Sequence, residues 1–293
     1  MEHSALSVAL LRQRLVSLLK AMPAVQEGDE MSVHQARVAS RRLREALPVL
    51  GATADDDALD RAANRVRRIT RALGPVRELD VTLSLLAELE SKGTAPKRAI
   101  TRVRTAVIEE RQKRRRAMLD EIKPSRLEKL RKRLVRVAAP ETRKAQTRTA
   151  IHEAAVKAAE RAVKLRGAID EAGSIYLADR LHRVRIEAKK LRYALEIHRE
   201  LTHSRSTARI NRLKHHQDLL GRVHDLEVLI ERTREVQASL PAQNRRAMSE
   251  LNRLIRALEA ECREGHAVYM HGRDQLIKLC EDVIAEGDQP AAA

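Results

Sequence analysis

His34, Arg37, Arg41 and Arg44 are spaced so that one helix would carry a histidine and three arginines on a single side. At 100° per residue, with His34 at zero, Arg37 falls at about −60°, Arg41 at about −20° and Arg44 at about −80°. Guanidinium groups present forked donors that match phosphate oxygens, and a histidine gains a second donor when protonated beside an anion. The chemistry such a face suits is recognition of a polyanion. Ala36, Ala39, Leu43, Leu47 and Leu50 lie on the opposite side and give the helix a packing face. The same arrangement returns 148 positions later, with His182, Arg185, Lys189 and Arg192 opposite Val184, Leu191, Ala194 and Leu195. Arg42 and Lys190 sit beside the two faces. A basic face on one helix is ordinarily solvated surface with carboxylates among the cations. Here the facing positions hold none, and the face occurs twice.

The elements that must position these residues are also repeated. Val33 to Leu47 aligns with Leu181 to Leu195, and Leu73-Gly74-Pro75-Val76-Arg77-Glu78-Leu79-Asp80-Val81 aligns with Leu220-Gly221-Arg222-Val223-His224-Asp225-Leu226-Glu227-Val228 at an offset of 147. A nearly constant offset across two blocks implies two halves with one plan. Carried backward, it pairs Arg65 with Arg212 and Arg68 with His215, which has His216 beside it. Arg61, Arg65 and Arg68 make a further basic face, with Arg71 at its margin. The expected fold is all-α: two helical bundles related by a pseudo-twofold axis, residues 1–140 and 141–293, joined near Pro140.

In detail, the periodicity predicts a helix from about 5 to 22 that stops before Pro23. Ser32, with Gln35 three residues on, reads as a capping box that places His34 in the first turn, where free N–H groups favour an anion. That helix ends at Pro48 to Gly51. Asp55, Asp56 and Asp57 open the next, which is expected to break at Gly74-Pro75, with a separate helix over 76–92. Charged helix follows to about Ala138, kinked or split by Pro124, and includes Lys113-Arg114-Arg115-Arg116. In the second half, helices are expected over 141–171, through the repeat to Thr202, over 206–220 with a break at Gly221, over 223–239 and over 243–286, before a frayed tail.

Composition narrows the ligand. The chain has 293 residues and a formal net charge of +17, so polyanions are the natural partners. It has no Phe or Trp and only Tyr176, Tyr193 and Tyr269, so it offers almost no platform for stacking bases. The balance suits a ligand that is all phosphate and no base. Cys262 and Cys280 are too far apart on one helix for a disulfide and read as reduced thiols. With no signal-like segment and no long apolar run, the sequence reads as a cytoplasmic protein without a membrane span.

The paired His-x-x-Arg-x-x-x-(Arg/Lys)-(Arg/Lys)-Leu-Arg blocks, each followed by Leu-Gly-x-Val-x-(Asp/Glu)-Leu-(Asp/Glu)-Val, resemble the CHAD domain, and the resemblance spans about residues 5 to 286. It implies two four-helix bundles around a basic, His-containing cavity that binds inorganic polyphosphate, with targeting to polyphosphate granules. The matching positions are His34, Arg37, Arg41, Arg42, Arg44, His182, Arg185, Lys189, Lys190 and Arg192. Arg65, Arg68, Arg212, His215 and His216 would come from the following helices. Arg77 departs from its counterpart His224. Some members carry a CYTH triphosphatase domain ahead of this one; here the sequence begins directly with the helical part.

Competing chemistry finds little footing. His215, His216 and His224 invite a metal, but adjacent helical residues point about 100° apart and no acidic or Cys partner completes a set. Glu88-Leu89-Glu90-Ser91-Lys92 matches the E-x-E-x-K string of CYTH domains, but on a helix Glu88 and Glu90 diverge, so the match reads as chance. No nucleotide loop or carboxylate cage stands out, so no cofactor and no enzymatic activity are expected. The runners-up are a nucleic-acid- or granule-associated basic protein and a polyphosphate-processing enzyme whose site is not apparent.

Overall fold

The computed structural model describes residues 2–27, 29–50, 56–137, 146–202 and 207–287. The chain is all-α, and the described residues carry no strand. The helices are α1 (Glu2–Glu27), α2 (Glu30–Leu50), α3 (Asp56–Lys92), α4 (Lys97–Glu121), α5 (Pro124–Val137), α6 (Gln146–Ala172), α7 (Ala178–Thr202), α8 (Thr207–Ala238) and α9 (Arg245–Gly287). By order, α1, α2, α3 and α4–α5 correspond to α6, α7, α8 and α9. Pro124 sits at the first position of α5, where its missing N–H costs no hydrogen bond, and it divides in the first half what stays continuous in the second. Gly93 (φ 65°) and Gly173 (φ 62°) adopt the left-handed conformation that closes α3 and α6.

Three sequence expectations about breaks are corrected. α1 runs through Pro23, because Met22 and Val25 on either side of it are both buried in the core. α3 runs through Gly74-Pro75 and α8 through Gly221. A proline removes one backbone bond, but tertiary packing outweighs that loss here. Leu73 and Val76 are buried in one apolar cluster and Leu79, one turn on, in another, so α3 is held in place on both sides of its weak point. The helix start before His34 also differs. Asp29 caps α2, accepting from the Ser32 amide at 2.7 Å and from the Ser32 hydroxyl. The Val33 amide already donates to the Asp29 carbonyl, so His34 lies past the free N–H groups. Gly28, Gly51, Asp55, the junction around Pro140 and Glu141, and residues 288–293 lie outside the described residues.

The core is aliphatic and falls into three clusters. The first joins α1, α2, the start of α3 and α5, with Leu18, Leu43 and Ile69 fully buried, and takes in Ala154 of α6 and Ile197 of α7. The second joins α6, α7, the start of α8 and the end of α9, around Leu165, Leu191, Leu213 and Leu276. The third is shared: Leu79 and Leu86 of α3 and Ile100 of α4 pack with Leu229 of α8 and Leu254 of α9. Ion pairs also cross between the halves: Arg222 on Glu88 (2.6 Å), Arg232 on Glu78 (2.8 Å) and Arg14 on Glu200 (2.7 Å). Glu88, singled out in the E-x-E-x-K string, thus belongs to this seam, and Glu90 pairs with Arg104 within the first half. Cys262 and Cys280 are free and buried on α9.

Candidate functional site

The shared seam brings α2 directly against α7, so the two repeated helices face one another. Arg37 and Arg41 of α2 meet Arg185 and Lys189 of α7. All four are half-buried, and among the described residues none has a carboxylate within 4 Å. Burial disfavours each charge, and the neighbouring cations add to the cost. The Arg37 guanidinium is pushed down to about 10 by burial, then by Arg41 and Arg185. Lys189 is pushed down to about 7 by burial, then by Arg185 and Arg41. Arg41 and Arg185 are lowered for the same first reason. The Arg185 Nε atom is buried with no hydrogen-bond partner, an open donor inside the cluster.

The glycines of the second repeated block make room for these side chains. A Cβ on Gly74 would stand 3.0 Å from Arg37 Nη1, which also reaches the Thr70 carbonyl at 3.5 Å. A Cβ on Gly221 would stand 3.8 Å from Arg185 Nε. The two blocks therefore belong to one device: the arginine of the first lies over the glycine of the second, once in each half.

Imidazoles flank the cluster. His182 Nδ1 lies 3.0 Å from His224 Nδ1, so one ring donates to the other. Burial, then Arg185 and His182, holds His224 down to about 3. His182 is lowered by burial, Arg185 and Lys189. At the other end His34 is more exposed and is lowered by burial, Arg77 and Arg37. It lines an open cleft of about 440 Å³ together with Arg42, Gln35 and Glu200. Asp225 faces Arg185 and Lys189; burial raises it, against the pull of those two cations. Glu78 and Glu45 act on Arg37 and Arg41, respectively, from beyond 4 Å.

The remaining sequence candidates divide. Arg42 (3.4 Å) and Arg192 (3.3 Å) both pair with the buried Glu196, and Arg192 also lies over the Tyr193 ring. Arg44 pairs with Glu45 (2.8 Å) and Lys190 with Glu187 (2.6 Å). The carboxylates that the wheel lacked come from neighbouring turns and from α7. Arg65 (2.8 Å) and Arg68 (2.5 Å) turn away from the cluster and pair with Glu121 of α4. Arg212 and His215 are exposed on the corresponding side of α8. His216 is buried against Gly272 of α9. Among the described residues no group of three His, Cys, Asp or Glu side chains is placed to hold a metal ion.

Sequence reasoning passed over Arg77, His224 and Asp225 as site residues, although all lie in the second block. The signal was available: they are three or four residues past Gly74 and Gly221, one helical turn on and on the same face.

An all-helical chain with a cationic cleft shared between two repeated halves is the class defined so far. The CHAD domain family model matches residues 9–234, and the chain belongs to that family. The crystal structure of the CHAD domain from the plant Ricinus communis is similar at 24% identity, covering 95% of this chain and 91% of that one, with a TM-score of 0.65. PptA from Streptomyces chartreusis is similar at 14% identity, covering 99% and 100%, with a TM-score of 0.63. Both likenesses extend beyond residue 234, so α9 is part of the common fold. No curated protein sequence matches this chain. No helix among the described residues is long and apolar enough to cross a membrane.

Proposed function

We propose that the chain binds inorganic polyphosphate in the α2–α7 cleft, performs no reaction on it, and is carried to polyphosphate granules by that binding. The observation that carries this reading is the convergence of Arg37, Arg41, Arg185 and Lys189, two from each half, with no carboxylate within 4 Å of any of them among the described residues. Half-buried like charges at close range are costly unless an anion completes them. A linear chain of phosphates supplies repeated charge with no base to read, and released counterions add to its affinity.

The same charge would attract nucleic acid, but the aromatic groups favour phosphate alone. Tyr269 and Tyr193 are buried, and Tyr176 donates to Glu227, so no exposed ring is set to stack a base. Titration of long-chain polyphosphate, duplex DNA and RNA at several salt concentrations tests the reading. Polyphosphate is expected to bind most tightly at every salt. Equal affinity for DNA would overturn selectivity, and release of orthophosphate in the presence of Mg²⁺ would identify an enzyme.

A further inference from the structure

Arg65, Arg68 and Arg71 form a basic face on α3 that the cleft does not use. With Arg65 at zero, Arg68 and Arg71 fall at about −60° and −120°, whereas Thr70, Gly74 and Arg77 fall between about 120° and 180°. Arg65 and Arg68 therefore point away from the inner cleft, while Arg71, about 60° from Gly74, stands at the margin between the inner cleft and the outer face. Between α3 and α4 the outer face forms an open cleft of about 340 Å³, rimmed by Arg68, Arg71 and Arg114 over a floor that includes Ala72, Pro75 and Met118. Glu121 at its edge is already shared by Arg65, Arg68 and Arg126 (3.2 Å), and Arg114 pairs with Glu110 (2.6 Å). Arg71 is exposed, with no carboxylate within 4 Å among the described residues. The cations outnumber the acids.

The fold does not require this charge. At the same offset of 147 the second half places His215 where the first has Arg68, and Asp218 where it has Arg71. The outer patch is thus a property of the first half alone.

We infer that the α3–α4 cleft is a second polyanion-docking surface, which takes the overhang of a long polyphosphate whose other segment occupies the inner cleft. The inference rests on the polyphosphate reading and deepens it: it makes the site selective for long chains. A chain leaving Arg37 over Gly74 meets Arg71 at the margin, and has only to round α3, roughly 10–12 Å across, to reach Arg68. Linking two weak contacts through one ligand raises affinity without any new inner contact.

The test compares tripolyphosphate with long-chain polyphosphate by calorimetry, on the wild type and on Arg71→Ala/Arg114→Ala. Both side chains are exposed, so the variant keeps its core. The variant is expected to lose about tenfold for the long chain, with a shallower salt dependence, and to keep tripolyphosphate affinity within about twofold. Unchanged long-chain affinity, or an equal loss for both ligands, overturns the inference while the inner-cleft reading stands. If the wild type binds neither ligand, both fall. Duplex DNA is a third arm: a variant that loses DNA binding but keeps its long-chain polyphosphate affinity marks the patch as a nucleic-acid surface and overturns the inference.

Discussion

The two ends of the cleft are built from corresponding residues and yet differ. At the first end His34 is exposed and its neighbour is Arg77. At the second, His182 is half-buried and its neighbour is His224, which burial and nearby cations keep neutral at pH 7. The acids differ in step. Glu78 is exposed and pairs with Arg232, while Asp225 at the corresponding position is half-buried near Arg185 and Lys189 and has no close ion pair among the described residues. One helix plan thus makes a charged, solvent-facing end and a second end whose side chains are more buried, although they too line an open cleft of about 440 Å³, and whose charge depends on protons. The middle, where Arg41 of one half meets Arg185 of the other, belongs to neither half.

If the middle is shared, removing one cation from each half should be the most damaging change. Arg41→Ala with Arg185→Ala is expected to weaken polyphosphate binding about a hundredfold or more, since charge-assisted hydrogen bonds are worth about 1.5–3 kcal/mol each. Each single variant should lose a comparable part. A loss confined to the variants of one half, read by calorimetry, would mean that the halves bind separately and would break the comparison at its centre.

The second end should make binding depend on pH. Lys189 stands at about 7 without ligand, and an anion beside it raises that value. Above pH 7 binding must then take up a proton, so affinity should fall as pH rises from about 7 to 9, approaching tenfold per unit if Lys189 alone is responsible. Lys189→Arg, which stays charged, should flatten the profile. The unliganded fold follows the opposite sense. Below pH 7 Lys189 is charged in both folded and unfolded chains and the full penalty is felt. The penalty fades as pH climbs towards the ordinary value of 10.5. Thermal unfolding without ligand should therefore show Lys189→Met as stabilising at pH 7 and nearly neutral near pH 10. A pH-independent affinity with wild-type Lys189 would remove the proton-dependent character of this end.

Much of this was legible in the chain, and the rest was hidden for physical reasons. The helical period and the doubled His34 and His182 blocks pointed to the fold class and to a basic site, because side chains one turn apart must share a face. The direction of Arg65 and Arg68 was not legible. A wheel says which residues lie together, not which neighbour they meet, and Glu121 is 56 positions from Arg65. The ion pair of Arg42 with Glu196 was hidden likewise, since it depends on how α2 crosses α7, whereas Arg192 and Glu196 are four residues apart on α7 and their pairing was open to a wheel. Gly74 and Gly221 looked like breaks because glycine and proline weaken an isolated helix. Here the glycine instead gives an arginine room, a role set by a partner helix 33 residues away in the case of Arg37 and Thr70.

Asp225 allows a test in the favourable direction. Its carboxylate faces the cations that a phosphate would take, so the two compete. Asp225→Asn should tighten polyphosphate binding by about threefold to tenfold and leave the chain folded, because the buried acid is already disfavoured. Glu78→Gln, at the solvent-facing end, should change affinity by less than about twofold. Equal effects from the two would erase the difference between the ends.

The smallest effect concerns the two glycines. At Gly221 a Cβ meets Arg185 at an ordinary contact distance, so Gly221→Ala should leave affinity unchanged and, within a helix, raise stability by up to about 1 kcal/mol. At Gly74 the same methyl group would stand 3.0 Å from the Arg37 guanidinium, which must swing off the Thr70 carbonyl. The far end of an arginine moves easily, so Gly74→Ala should cost little stability. Its cost should appear in binding, about twofold to fivefold, because Arg37 no longer points at its place in the cluster. Arg37→Ala combined with Gly74→Ala should then lose no more than Arg37→Ala alone, since the glycine acts only through that side chain. An additive loss would show that Gly74 serves the helix rather than the arginine.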